Sequence, residues 1–287
     1  MNADIHATQG FMFSKANIRG QIVHLEKTYQ TIIEQHDYPS MVRYLLGEAL
    51  VACLLISGSL KFEGDITLQF QGDTTLPLLL AQCDSQLNLR AYAKCSPDRT
   101  TEAYAQAFLQ GTMALTMNPD HHTQAYQSII PIYSTDMSEN LNHYFVQSEQ
   151  ITTHIWCASD EKRVAAMMLQ LMPTPDQAMQ TQERENFWQY ATQMGETVSD
   201  LELLTLDNET LLYRLYNETE VVLFDSRPAS FKCRCTRGKM LEVVKTLGKT
   251  DAHQLITEQG CIDVTCDFCN SRYSFDAIDV TLLFTDQ

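Results

Sequence analysis

Two short stretches near the end of the chain, FKCRCTR at 231–237 and VTCDFCN at 264–270, contain four of its nine cysteines. The cysteines of the first stretch are two residues apart, and in an extended segment such side chains project to the same side. The C-x-x-C turn of the second stretch also lets both sulfurs reach one ion. Four sulfurs make a closed tetrahedral set, which suits structural Zn²⁺ and leaves no open position for a catalytic water. The sequence therefore predicts one zinc site with four ligands: Cys233, Cys235, Cys266 and Cys269.

The first cysteine pair has basic neighbours, and the tail that contains both pairs is short. The basic residues are Lys232, Arg234, Arg237 and Lys239. Their positive field favours thiolate over thiol. About sixty residues are too few to bury a core without help, and structural zinc supplies roughly 10–16 kcal/mol of binding free energy. We therefore expect loss of the ion to unfold the tail, and oxidation within either pair to expel it. The spacing alone is equally compatible with a static clamp.

Two other interpretations of these cysteines stay open. Scattered buried thiols are one, although a small hydrophobic role does not predict two tight pairs in a charged segment. A thioredoxin-like redox pair at Cys266 and Cys269 is the other, although such a pair normally opens a helix after a core strand. Cys261 lies five residues before Cys266, which fits no tight chelate loop, and we interpret it as a spare thiol. The remaining cysteines are interpreted as core residues: Cys53, Cys83, Cys95 and Cys157.

The formal net charge of −16 is unevenly spread along the 287 residues. Residues 1–175 carry a net charge of −7, residues 176–225 carry −9, and residues 226–287 are neutral. An acidic field repels phosphate backbones, which argues against nucleic acid as the main partner. The N-terminus does not resemble a secretory signal, and the most apolar run, 45–60, is shorter than the ~20 residues of a membrane span. We therefore expect a cytoplasmic protein without a membrane partner, in which the cysteines stay reduced.

Length and patterning predict an α+β protein of three parts. Hydrophobic residues make up 44% and charged residues 20% of the chain, as is typical of folded globular proteins. Strand patterns, such as those at 18–25 and 153–159, mix with helical ones without a regular βαβ rhythm, which favours a mostly antiparallel sheet. We predict an N-terminal mixed α/β-sheet domain at 1–175, a helical linker at 176–225, and a small C-terminal zinc-binding domain at 226–287.

The predicted linker has clear helix signals but little that would keep it folded alone. Ser199 and Glu202 form a capping box, and Asp207 or Asn208 can cap the next helix. Isolated helices of this length are marginal in water and need a surface to pack on. We expect the zinc-folded tail to provide that surface. A brief strand at 221–224 is predicted after the helices.

The sequence contains no pattern typical of a catalytic site. There is no nucleophile elbow, P-loop, dinucleotide-binding or HExxH motif. His121 and His122 follow Asp120 in a turn-like stretch and are interpreted as exposed side chains. The methionine-rich cluster at 167–172 is interpreted as core, with an adaptable binding surface as the alternative. We therefore expect a protein that is not an enzyme.

Nearly the whole chain resembles the 33-kilodalton heat-shock protein family of redox-regulated chaperones. The resemblance is carried by the two cysteine motifs together with HDYP at 36–39, LKFEGDIT at 60–67, QGD at 71–73, SEQ at 148–150 and LQLMP at 169–173. It implies a cytoplasmic holdase with an α/β N-terminal domain, a helical linker and a C-terminal zinc fold.

The resemblance also implies a mechanism. The four cysteines hold Zn²⁺ when reduced, and oxidation forms one disulfide within each close pair, Cys233–Cys235 and Cys266–Cys269. The linker then loses structure, and the protein binds unfolding client proteins, commonly as a homodimer. Under this reading the four cysteines are both zinc ligands and the redox switch.

The acidic linker suggests where clients bind, and two other functions stay open. We hypothesise that 176–225 and the apolar surface it covers form the client-holding region. A zinc-ribbon nucleic-acid-binding protein is an alternative, suggested by the basic cluster around Cys233. A thiol oxidoreductase that uses Cys266 and Cys269 is another. The apolar linker residues proposed to hold clients are Phe187, Trp188, Tyr190, Leu203, Leu204, Leu211, Leu212 and Leu215.

Overall fold

The computed structural model describes residues 3–14, 16–59, 63–119, 124–173 and 181–285, and the chain folds into two compact units. The first unit ends at Phe231 and the second begins at Lys232. Residues 226–231 belong to a strand of the first unit, although the sequence predicts them as the start of the zinc-binding domain at 226–287. The functional division into body, linker and tail stays a prediction. His121 and His122 lie outside the described residues.

A ten-stranded sheet is the framework of the described part of the first unit. Its strands are β1 (Ala3–Phe13), β2 (Ile18–Leu25), β3 (Gly64–Gln71), β4 (Leu78–Asp84), β5 (Asn88–Lys94), β6 (Thr112–Pro119), β7 (Tyr126–Ile130), β8 (Thr153–Ser159), β9 (Val164–Leu171) and β10 (Val221–Phe231). They lie in the order β7-β6-β3-β4-β5-β10-β1-β2-β9-β8. Neighbouring strands are antiparallel except β10 and β5, whose short pairing is parallel. The predicted α+β class with a mostly antiparallel sheet is confirmed.

Seven helices accompany this sheet among the described residues. They are α1 (Lys27–Ile33), α2 (Ser40–Ser59), α3 (Thr101–Leu109), α4 (Met137–Gln147), α5 (Thr181–Gly195), α6 (Asp200–Thr205) and α7 (Asn208–Tyr216). Helix α2 is longer than the apolar run suggests, and its length and composition would suffice to cross a membrane. However, 72% of its apolar window is buried inside the protein, where it packs against β2, β4 and β9. This is the environment of a core helix.

Local sequence signals place several elements correctly. Strands β2 and β8 have the predicted bounds, 18–25 and 153–159. Ser199 and Glu202 make the reciprocal capping box at the start of α6. At the start of α7, the Asp207 carboxylate accepts the backbone N–H of Thr210 at 2.9 Å. These features depend on residues within one turn of each other, so they can be read from sequence.

The strand predicted at 221–224 is correct in place but wrong in length. It continues as β10 to Phe231 because it pairs along β1, from Val221 opposite Phe13 to Ser230 opposite Ala3. Pro228 interrupts the local strand pattern, since proline cannot donate to a sheet ladder. It lies where the register with β1 shifts, which accommodates the missing N–H. The partner strand, distant in sequence, decides the length of β10.

Helices α5, α6 and α7 pack on the face of the sheet formed by β1, β2, β8 and β9. Phe13 is the centre of this contact, with its ring 5.3 Å from Phe187 and 4.8 Å from Tyr216. The Tyr216 hydroxyl donates to the backbone oxygen of Ala191 at 3.0 Å, which joins α7 to α5. The buried residues shared by sheet and helices are Phe11, Phe13, Ala16, Ile18, Ile22, Ala158, Ala165, Met167, Leu169, Ala191, Leu203, Leu211, Leu212, Leu215 and Tyr216. The linker helices thus pack on the sheet, whereas the sequence suggests that they pack on the zinc-folded tail.

Strand β9 separates the two hydrophobic cores of the first unit. Met167 and Leu169 lie in the core under the linker helices, whereas Ala166 and Met168 lie in the core that contains α2. Both faces of the strand are covered, so its residues follow a continuous apolar run instead of an alternating one. The methionine-rich cluster is therefore core, as predicted.

The second unit is small and has few buried residues. Its described elements are α8 (Arg237–Lys245), α9 (Lys249–Gln259), β11 (Ile262–Thr265), β12 (Arg272–Phe275) and α10 (Ala277–Leu283). Strands β11 and β12 form an antiparallel hairpin. Its buried cluster consists of Val244, Ala252, Ile262, Phe275 and Val280. Five residues are a small core for a folded unit, which indicates a need for another source of stability.

Gly195 provides a test of how tightly the linker helices are held. A Cβ atom at this position would lie 2.5 Å from the Trp156 ring on β8. We therefore expect Gly195→Ala to weaken the packing of α5 by about 1–3 kcal/mol, as overpacking does. Hydrogen exchange should become faster in 181–216 and stay unchanged in β3 to β6. Gly238→Ala is the control, because a Cβ there meets nothing within 4 Å. Equal protection in both variants would contradict this account.

The first unit also contains a buried carboxyl group, Glu48 on α2, with no exposed surface. Its Oε2 accepts the backbone N–H of Met137 at 3.2 Å, and it shares a hydrogen bond with Tyr44. Burial raises the pKa of Glu48 to about 8, and the nearby Asp136 adds to this rise. The native state therefore keeps a proton that the unfolded state loses above its ordinary pKa of 4.5. Stability from this group declines as the pH rises from about 4.5 to about 8.

Glu48→Gln should remove this pH dependence, because an amide stays neutral. Relative to the wild type, the free energy of unfolding of the variant should gain a few kcal/mol between about pH 5 and pH 8. Urea unfolding followed by fluorescence measures this directly, because both tryptophans, Trp156 and Trp188, lie in the first unit. Glu34→Gln, at an exposed site, should follow the wild type. Identical pH slopes for Glu48→Gln and the wild type would show that Glu48 is ionised when folded.

Candidate metal centre

The first cysteine pair lies in the extended segment that precedes α8. Residues 232–236 have no regular secondary structure, so Cys233 and Cys235 can project toward the same side. Thr236 ends this segment as the N-cap of α8, with its side chain accepting the backbone N–H of Lys239. The cap fixes where the extended segment stops and the helix begins.

The second cysteine pair lies in the turn between β11 and β12. The backbone N–H groups of Cys269 and Asn270 both donate to the Cys266 oxygen, at 3.3 and 2.8 Å. The turn closes with the Cys266 N–H donating to the Ser271 oxygen at 3.0 Å. Asn270 has φ of 53°, a left-handed conformation that asparagine tolerates better than most residues. These bonds place both sulfurs on the same side of the hairpin end.

The fold brings all four sulfurs together. Each Sγ atom lies within 4.8 Å of the other three. The Cys233 and Cys266 sulfurs are 3.6 Å apart, and those of Cys235 and Cys269 are 3.4 Å apart. Both of these short contacts join sulfurs from different pairs. The centre joins two chain segments that are about thirty residues apart.

The environment of the four sulfurs is uneven. Cys266 is buried, with 5% of its surface exposed, whereas the other three are half-buried. Burial raises the pKa of Cys233 to about 12 and raises that of Cys266 as well. Burial also acts on Cys269, but hydrogen bonds from Ser271 and the neighbouring thiols outweigh it and lower its pKa to about 7. Ser271 and the neighbouring thiols therefore stabilise negative charge at the Cys269 sulfur. Binding of a cation would displace the protons that remain on the other sulfurs.

Two hydroxyl groups contact the sulfurs, and neither residue is among those predicted from the sequence. The Tyr273 hydroxyl on β12 donates to Cys235 Sγ at 3.1 Å. The Cys269 thiol donates to the Ser271 hydroxyl oxygen at 3.2 Å. Ser271 follows Cys269 closely and could be suspected from sequence, but Tyr273 meets a cysteine 38 residues away. Hairpin pairing is needed to bring them together.

Arg237, one of the basic residues near the first pair, contacts other parts of the second unit. Arg237 lies over the Phe275 ring at 4.6 Å and pairs with the Asp279 carboxylate at 2.5 Å. It also donates to the Ser274 backbone oxygen at 2.9 Å. This residue therefore ties α8 to β12 and α10. Nothing in these contacts tests whether the charge of Arg237 favours the thiolates, so that expectation stays a prediction.

The other cysteines lie outside this group. Cys53 and Cys83 are buried in the main core, and Cys95 and Cys157 pack against it. Cys261 is half-buried and does not belong to the cluster of four. The interpretation of the first four as core residues is thereby confirmed.

The donor set can hold a metal ion. Four sulfurs at these separations match a tetrahedral arrangement of soft ligands around one cation. They join two segments of a unit whose described residues form a hydrophobic cluster of five buried side chains. Metal binding at such a site adds directly to folding free energy.

Three comparisons with known proteins show which family and fold this chain resembles. Residues 7–276 match the family model described as Hsp33 protein. The chain is 39% identical over 284 residues to the 33 kDa chaperonin of Pseudomonas savastanoi pv. phaseolicola, covering 98% of this chain and 94% of that protein. It is 38% identical over 280 residues to that of Pseudomonas aeruginosa, covering 96% and 94%. The crystal structure of the 33 kDa chaperonin of Thermotoga maritima matches with a TM-score of 0.79 at 21% identity, over 97% of both chains, which supports the fold.

Cobalt binding tests which cysteines form the centre. The reduced protein should bind one equivalent of Co²⁺ and develop the absorption of a tetrahedral thiolate complex. Cys235→Ser should weaken binding and change this spectrum, because one of four sulfurs is lost. Cys261→Ser should behave as the wild type, because this thiol lies outside the cluster. An equal loss in the Cys261 variant would mean that the ligand set differs from the four clustered cysteines.

Proposed function

The chain belongs to the Hsp33 protein family and is a redox-regulated molecular chaperone, and on this premise we propose that its four clustered cysteines hold one Zn²⁺ ion in the reduced protein. The observation that carries this proposal is the convergence of four sulfurs within 4.8 Å in a unit with a very small core. Bound zinc would supply a cross-link between the 232–236 segment and the β11–β12 hairpin. A closed set of four sulfurs leaves no site for a reacting water, which supports a structural role.

Oxidation of the sulfurs is the proposed trigger. In each close pair two thiolates lose two electrons to an oxidant such as hydrogen peroxide, which takes up two protons and is reduced to two waters, and one S–S bond forms. We propose the pairs Cys233–Cys235 and Cys266–Cys269. Disulfide sulfurs are poor metal ligands, so the cross-link between the two segments is lost. Disulfides between the pairs would instead keep the segments joined, and the short Cys235–Cys269 contact makes this alternative worth measuring.

Loss of the cross-link should unfold the second unit. Structural zinc contributes roughly 10–16 kcal/mol of binding free energy, comparable to the whole stability of a small domain. The remaining buried cluster has five residues. This is too small to keep the unit folded once its metal centre is oxidised.

The linker helices and the sheet face below them are the proposed client-binding region. Residues 176–225 carry a net charge of −9, which favours their separation from a compact state. Their departure would expose an apolar surface that includes Phe11, Phe13, Ile22, Met167 and Leu169. Such a surface is suited to hold exposed apolar segments of unfolded proteins. The linker side chains proposed to take part are Phe187, Trp188, Tyr190, Leu203, Leu204, Leu211, Leu212 and Leu215.

We further propose that the active form is a cytoplasmic homodimer that acts without catalysis and without a nucleic-acid or membrane partner. The acidic composition supports the absence of a nucleic-acid partner, because it repels phosphate. The relatives are named chaperonins, which favours binding over turnover. Sedimentation before and after oxidation would test the dimer.

One experiment tests the switch as a whole. Zinc content, free thiols and suppression of aggregation of a heat-unfolded test protein are measured on one sample, before and after peroxide at mild heat. We expect one zinc per chain and little suppression before oxidation, then zinc loss, two disulfides and strong suppression after it. Hydrogen exchange in 181–216 should become faster in the same step. Cys261→Ser is the control and should switch normally.

Two results would overturn this proposal. Suppression that is equal in the reduced, zinc-loaded protein and the oxidised protein would remove the redox control. Strongly salt-dependent nucleic-acid binding, or turnover of a disulfide substrate without zinc, would favour the zinc-ribbon or oxidoreductase alternatives.

A further inference from the structure

We propose that Tyr273 is a positioning residue of the cysteine centre, which makes Cys235 the less reactive sulfur of the first pair and Cys233 the site where oxidation of that pair begins. The inference rests on the proposed function, since it concerns sulfurs that hold a metal ion. Its geometric basis is the hydrogen bond from the Tyr273 hydroxyl to Cys235 Sγ at 3.1 Å. Hydrogen bonds of this kind to ligand atoms fix their orientation and tune the site.

The hydrogen bond acts on the electrons that an oxidant needs. A thiolate attacks through a sulfur lone pair, and a hydroxyl donor lowers the energy of that pair and its nucleophilicity. Cys233 and Cys235 are both half-buried, so neither is closed off from an oxidant. The hydroxyl therefore favours reaction at Cys233.

In the second pair the contacts do not predict which sulfur reacts first. The first pair is therefore the one to test. Ser271 contacts Cys269 at 3.2 Å, and once that sulfur is ionised the hydroxyl must be the donor. This contact protects Cys269, but Cys266 is the more buried sulfur of the two. Hydrogen bonding and burial therefore act in opposite directions there.

Oxidation of the first pair takes place in two proposed steps. The Cys233 thiolate attacks one oxygen of hydrogen peroxide, an S–O bond forms, the O–O bond breaks, and the departing hydroxide leaves as water after protonation. The Cys235 sulfur then attacks the resulting sulfenic acid, an S–S bond forms, the S–O bond breaks, and a second water leaves. Cys233 is thus the attacking thiol and Cys235 the resolving thiol. The two electrons come from the cysteine pair and reduce the peroxide.

Tyr273 holds its hydroxyl in place through the fold of the second unit. It lies on β12, where it pairs with Val264 of β11, and its ring packs against the buried cluster. Tyr273→Phe keeps this packing and removes only the hydroxyl. The substitution therefore separates the hydrogen bond from the structural role of the ring.

The test compares the zinc-loaded, reduced wild type with Tyr273→Phe. N-ethylmaleimide alkylation is stopped early, and tandem mass spectrometry of the peptide that contains both cysteines gives the ratio of label at Cys233 to Cys235. In the wild type we expect Cys233 to react about tenfold faster, the factor expected for one hydrogen bond to a charged group. In Tyr273→Phe the ratio should fall toward one, and the zinc dissociation constant should rise about tenfold.

Two controls separate this effect from general loosening. Ser271→Ala should leave the Cys233 to Cys235 ratio unchanged, and Tyr213→Phe, at a site 72% exposed on α7, should leave all values unchanged. Loosening of the unit would instead speed both cysteines together. An unchanged ratio in a Tyr273→Phe protein that still holds zinc overturns the inference alone. A wild-type chain that holds no zinc overturns both the inference and the proposed function.

Discussion

Four sulfur atoms converge in the second unit. They join the segment before α8 to the β11–β12 hairpin, and every sulfur lies within 4.8 Å of the others. The hydrophobic cluster beside them has only five buried residues, so burial contributes little for a unit of this size. The chemistry of the same atoms limits their durability, because a thiolate that binds a metal is also oxidisable. In the proposed function, stability and sensitivity to oxidants therefore have one source.

The first unit stays folded for a different reason. Its sheet is covered on both faces along β9, by α2 on one side and by the linker helices on the other. The core around α2 is large and contains even a carboxyl group that burial keeps neutral near pH 7. The layer of linker helices is held by weaker means. Its short acidic helices depend on contacts around Phe13 and on polar bonds such as that from Tyr216 to Ala191. A local opening would therefore begin in the linker layer and not in the core.

Along the chain, strand β10 connects the linker helices to the segment that contains the first cysteine pair. It follows α7 directly, pairs along β1 and ends at Phe231, next to the first cysteine pair. The linker helices therefore lie between β9 and β10 in sequence and pack on the sheet that contains both strands. Because both ends are anchored in the sheet, the linker can separate from its face without loss of the framework.

The sequence by itself determined the α+β class, several helix caps, two strand bounds and the four cysteines, because these depend on neighbours within a few residues. The tertiary structure decided where Tyr273 and Arg237 act, how far β10 runs, and which surface the linker covers. The reason is physical: a hydrogen bond between residues 38 positions apart, or a strand pairing between residues more than 200 positions apart, leaves no local pattern. Gly195 beside Trp156 and the buried Glu48 are further examples, since each has meaning only once its neighbours are in place.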